Sequence, residues 1–127
     1  MEDLYRAYIL EHQREPHNKG DMANPDRFAA YANPFCGDRL QMSVRLEGDR
    51  VADVRFNGQG CAISQAAASM LTDEMLGKTL AELAAISKED VFEMLGITLS
   101  PARQKCGLLA FKILKTLLYQ QEQPVSP

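Results

Sequence analysis

Long apolar runs are missing from this chain of 127 residues. No stretch approaches the ~18 uninterrupted apolar residues that a membrane span requires, and Met1-Glu2-Asp3-Leu4-Tyr5 is not a basic segment leading into an apolar one. A cytoplasmic protein that does not enter a membrane is the expectation. Basic blocks are missing too. The 14 Lys and Arg are outnumbered by 17 Asp and Glu, for a net charge of -3. With no basic amphipathic stripe, this excludes a general binder of nucleic acid or anionic membranes and leaves proteins or small ligands as partners. Histidine is scarce: His12 and His17, both near the N-terminus, read as solvated or packing residues. Cysteine is scarce as well. Cys36, Cys61 and Cys106 are odd in number, so no disulfide scheme pairs them all, and a chain this long closes a core without disulfides. Reduced thiols are expected.

What is present is ordinary globular composition, 46% hydrophobic and 24% charged. A single domain over 1–127 follows, with a tail that frays from about residue 120. Leu4, Tyr5, Tyr8, Ile9 and His12 have near-helical spacing, and Pro16 closes that helix. Residues 17–26 carry turn formers and predict a loop. Leu40, Met42, Val44 and Leu46 alternate with polar residues up to the turn Glu47-Gly48-Asp49, after which Ala52, Val54 and Phe56 alternate again. This is a hairpin with one buried face, and Arg27 to Ala32 supplies a third strand because a two-stranded ribbon is marginal in water. An Ala- and Ser-rich helix is predicted from Cys61 to Leu76, stopped by Gly77. Thr79 with Glu82, and Ser87 with Asp90, match capping boxes that open two short helices. Ser100-Pro101 opens a last helix whose apolar stripe is Ala102, Cys106, Leu109, Ile113 and Leu117. The fold class is α+β: a small three-stranded antiparallel sheet packed on one face by helices.

The three cysteines share distinctive surroundings. Asn33-Pro34-Phe35-Cys36-Gly37-Asp38 is a turn sequence able to aim Cys36 and Asp38 at one point. Gly58-Gln59-Gly60-Cys61 places a thiol at a helix N-terminus, and Arg103 and Lys105 put positive charge beside Cys106. Either setting favours a thiolate. Three thiolates and a carboxylate form a tetrahedral ligand set suited to zinc or iron. Asp38 is its hard, weaker member, and a ligand that leaves easily suits a site through which metal or sulfur passes. Each residue also has a plainer reading. A cysteine alone is most often a small buried hydrophobe, Asp38 alone a turn residue, and Lys105 an exposed side chain. Gly58 and Gly60 do not make a dinucleotide fingerprint, because Ile63 stands where its third glycine belongs. Met70, Met75 and Met94 read as core or surface fillers.

At these residues the chain resembles the IscU/SufU family of iron–sulfur cluster assembly proteins, also found as the first domain of NifU. The likeness rests on Asn33-Pro34-Phe35-Cys36-Gly37-Asp38, Gly58-Gln59-Gly60-Cys61-Ala62-Ile63-Ser64 and Pro101-Ala102-Arg103-Gln104-Lys105-Cys106, in that order and over nearly the whole chain. The resemblance implies metal or cluster ligation by Cys36, Asp38, Cys61 and Cys106. It implies zinc in the resting protein and a transient [2Fe-2S] cluster or iron. It further implies persulfide from a pyridoxal-phosphate cysteine desulfurase, passed toward a downstream iron–sulfur carrier or apo-protein.

Two departures divide the reading. IscU-type members have a histidine before the third cysteine, where this chain has Lys105, as in the SufU-type branch; yet the SufU-type insertion between the second and third cysteines is missing. The IscU chaperone-binding run is replaced by Leu99-Ser100-Pro101-Ala102-Arg103, so an IscU-type Hsp70 partner is not expected. The sulfur acceptor is Cys36 by the SufU pattern and Cys106 by the IscU pattern, and Lys105, which is no imidazole ligand, favours Cys36. A non-enzymatic scaffold, a zinc-dependent sulfurtransferase and a structural zinc module that binds a partner are the three readings.

Overall fold

Strand alternation from Leu40 onward is realised as a hairpin at the centre of the fold. The structure, a computed structural model, describes residues 2–34 and 37–119. Its sheet has the order β1 (Arg27–Ala32), β2 (Arg39–Glu47), β3 (Arg50–Gln59), all antiparallel. The register contains a bulge: Arg45 faces Asp53, but Leu46 faces Val51, so Ala52 is passed over. The extra residue reverses the alternation. Val51, Val54 and Phe56 are buried whereas Ala52 is exposed, which corrects the expectation that Ala52 shares the inner face.

The segment 17–26 is irregular, as expected, but its start docks on the edge of β3. The Gly20 N–H donates to the Phe56 carbonyl and the Phe56 N–H to the Asn18 carbonyl, both at 2.9 Å. At the other end of that edge the Val51 N–H donates to the Lys78 carbonyl at 2.9 Å. An edge strand otherwise open to pairing with another chain is thus covered at both ends.

Six helices lie among the described residues: α1 (Glu2–Arg14), α2 (Ala62–Met75), α3 (Leu80–Ala84), α4 (Lys88–Leu95), α5 (Pro101–Gly107) and α6 (Leu109–Tyr119). Leu109, Ile113, Leu114 and Leu117 of α6 and Leu71 and Met75 of α2 close over Leu40, Met42, Val44, Val54 and Phe56 of the sheet. The opposite side of α2 packs Ile63, Ala66, Ala67 and Met70 against Ile9 of α1, Val91 and Leu95 of α4, and Cys106 of α5. Buried continuously from Ile63 to Thr72, α2 is a core helix enclosed on all sides, and its small residues let neighbours approach from each.

Both capping boxes form, Thr79 with Glu82 and Ser87 with Asp90. The Thr79 backbone N–H donates to Glu82 and holds its carboxyl below the usual range. The last helix corrects the expectation of one unbroken stripe. It breaks at Leu108 (φ -94°, ψ 0°), just after Gly107, the weakest helix former apart from proline. Among the described residues no helix is long and apolar enough to cross a membrane.

Candidate metal centre

The starts of β2 and α2 and the last turn of α5 meet at one point. The Gly37 N–H donates to the Asn33 carbonyl (2.9 Å) and the Asn33 N–H to the Asp38 carbonyl (2.8 Å). These bonds hold Asp38, only 6% exposed, just ahead of β2. Cys61 is the N-cap of α2 in extended conformation, and its side chain makes no capping hydrogen bond. Its backbone N–H points at Asp38 Oδ2, 3.4 Å away. Cys106 lies in α5 and is buried. One Sγ from each cysteine and a carboxylate oxygen of Asp38 fall within 4.8 Å of one another. Cys36, the remaining expected ligand, and Phe35 beside it lie outside the described residues.

The glycines of the Gly58–Cys61 loop make this approach possible. A Cβ on Gly60 would overlap Ser64 Oγ and stand 3.3 Å from Asp38 Oδ2. Gly58, at φ +135°, has a conformation that side chains resist, and a Cβ there would run into the Arg39 carbonyl. Both absences of a side chain let the loop close against the start of β2.

Arg103 and Lys105 are exposed on α5 on the approach to Cys106. Lys105 lines a cavity of about 180 Å³ with Tyr31, Asn33, Pro34, Leu109 and Lys112. Sequence reasoning missed a supporting chain of polar contacts. Lys19 Nζ donates to Gln65 Oε1 (3.5 Å), Gln65 Nε2 donates to the Gly58 carbonyl (3.4 Å), and Ser64 Oγ donates to the Cys61 carbonyl (3.1 Å). The available signal was Gln65 itself, a long polar side chain in an otherwise small and apolar helix, buried at 7% exposure.

The NifU-like N terminal domain family matches residues 4–124. This chain belongs to that family. Over 96% of its length it is 34% identical to the zinc-dependent sulfurtransferase SufU of Bacillus subtilis (strain 168), covering 94% of that protein. Over 91% it is 31% identical to the iron–sulfur cluster assembly scaffold protein IscU of Streptococcus pyogenes serotype M1, covering 82% of that protein. Among solved structures, one from Fervidobacterium islandicum AW-1, assigned as an iron–sulfur cluster assembly scaffold for the SUF system, superposes with a TM-score of 0.72 at 26% identity. That superposition covers 87% of this chain and 93% of the other. The NifU-like family thus joins iron–sulfur assembly scaffolds and SufU-type sulfurtransferases, and the α+β fold expected of it is the one observed.

Proposed function

We propose that this chain is an iron–sulfur cluster assembly factor. It binds zinc, or iron and sulfide as a nascent cluster, through Cys36, Asp38, Cys61 and Cys106, and it accepts persulfide sulfur from a pyridoxal-phosphate cysteine desulfurase. The convergence of Asp38, Cys61 and Cys106 from three separate elements carries this reading. The donor set fits such a metal: two sulfurs give soft affinity and a carboxylate a harder position. A carboxylate 6% exposed and held by a long 3.4 Å hydrogen bond is also in the situation that a cation relieves. Bound metal supplies positive charge that keeps the thiols ionised.

Cys36 is the acceptor in this account. Cys106 sits in an apolar cluster with Ile63 and Leu95, at 7% exposure, which is poor access for a sulfur arriving on another protein. The Cys36 thiolate attacks the outer sulfur of the desulfurase persulfide; a new S–S bond forms, the old one breaks, and the donor cysteine leaves as thiolate. Sulfur then moves on toward a downstream carrier or apo-protein.

A zinc-dependent sulfurtransferase is the second reading, favoured by Lys105 in place of an imidazole and by the likeness to SufU. Elemental analysis of protein purified without chelator tests the site. We expect a metal ion bound per chain that is lost in Cys61→Ser and in Cys106→Ser while circular dichroism is retained. Undiminished metal in both variants, or unfolding of the wild type by mild chelation, would contradict the site or make the metal purely structural. Zinc that yields to a cluster when iron and sulfide are supplied marks the scaffold; zinc that persists marks the sulfurtransferase.

A further inference from the structure

At the other end of α2 a second set of ligating side chains converges. His12 near the end of α1, His17 in the following loop and Asp73 in the last turn of α2 each offer one ligand atom, all within 4.8 Å of one another. Asp73 lies twelve residues beyond Cys61 along α2, about 18 Å at the rise of an α-helix. The cluster is therefore separate from Asp38, Cys61 and Cys106. We propose that His12, His17 and Asp73 form a second metal site, selective for a borderline divalent transition ion of the zinc and ferrous iron class. It stands independently of the function proposed for the thiol centre.

Two imidazoles and a carboxylate are a donor set that such ions accept while keeping open coordination positions. Each donor is already oriented by a neighbour. His12, at 2% exposure, has Nδ1 2.7 Å from Ser69 Oγ, and the same oxygen accepts the His17 backbone N–H at 2.7 Å. With an Nδ1–H donated to Ser69, His12 keeps its lone pair on Nε2, the arrangement by which outer partners fix a ligand histidine. Asp73 Oδ1 accepts from Asn18 Nδ2 at 2.9 Å, and Asp73 Oδ2 is 2.6 Å from His17 Nδ1.

The electrostatics agree with the geometry. Burial, and then the neighbouring His17, lower the pKa of His12 against the opposing pull of Asp73 and Glu11. Burial thus favours the neutral imidazole, the form that ligates. The two rings stand with centroids 4.5 Å apart, and the side chains of His17 and Asp73 are 55% and 38% exposed. An ion therefore reaches the cluster directly from solvent and exchanges from it. A hydrogen-bonded tether between α1 and α2 would need the His12–Ser69 and His17–Asp73 contacts, but would have no use for two imidazoles side by side.

Cobalt(II) titration of the full chain separates the two sites. Cobalt at the cysteines gives thiolate-to-metal charge transfer, whereas cobalt on nitrogen and oxygen gives only weak d–d bands. We expect a second cobalt without charge transfer, its affinity reduced at least about tenfold in His17→Gln and in Asp73→Asn. The charge-transfer band and the thermal midpoint of metal-free protein should be unchanged in both. These half-exposed positions are chosen because replacing buried His12 would disturb packing. Binding confined to thiolate-bound cobalt, or a second ion held equally well by both variants, would overturn the proposal.

Discussion

In the proposed function Asp38 is the residue on which the thiol centre turns, because it would be the oxygen donor among sulfurs. An oxygen ligand exchanges from a thiophilic ion more readily than a thiolate does, so a ligating Asp38 would set how fast metal or cluster leaves. Asp38→Ala should therefore slow cluster release to a chelator while lowering sulfur transfer. Faster release, followed by the loss of cluster absorbance, would contradict that role. Asp38, Cys61 and Cys106 were singled out in the sequence chiefly because the motifs around them resemble a known family; glycine-rich turn and cap chemistry marks Asp38 and Cys61, whereas Cys106 on its own reads as one more apolar position of a helix. His12 and His17 were not read as partners of anything. Their contacts, Ser69 and Asp73, lie 57 and 56 residues away, and no local period announces a pairing made only when α1 lies against α2. The expected ligand Cys36 lies outside the described residues.

Among the elements, α2 links everything, with Cys61 at its start, Asp73 in its last turn and apolar clusters on two sides. Its alanines are spacers whose smallness sets the distance to α1 and α5. Ala66, at 0% exposure, has no room for a larger side chain. Ala66→Leu should cost about 1–3 kcal/mol by overpacking, measured as a lower urea midpoint at unchanged slope; a neutral or stabilising result would mean that the helix is not enclosed as described. Both capping boxes, which have strong local signals, lie where the sequence places them, and so does the strand Arg27–Ala32, inferred from the need of a two-stranded ribbon for a third strand. The exceptions are tertiary. The bulge at Ala52 reverses an alternation that appears regular in the chain, and the break at Leu108 interrupts a stripe that is apolar on both sides of it.

For the whole molecule, the sheet and the core helices act as a frame that brings the starts of β2 and α2 and the last turn of α5 together. These segments are distant in sequence, so the site exists only in the folded chain. That arrangement brings together the donors that the proposed function requires, Asp38, Cys61 and Cys106. In the proposed function, sulfur from a desulfurase arrives on this centre while metal is held there. That step is tested most directly by native mass spectrometry of the zinc-loaded chain after incubation with a cysteine desulfurase and cysteine. The expected result is a mass gain of one sulfur atom, mapped by peptide analysis to Cys36, with zinc still bound. A chain that gains no sulfur, or gains it equally in a Cys36→Ser variant, would contradict it.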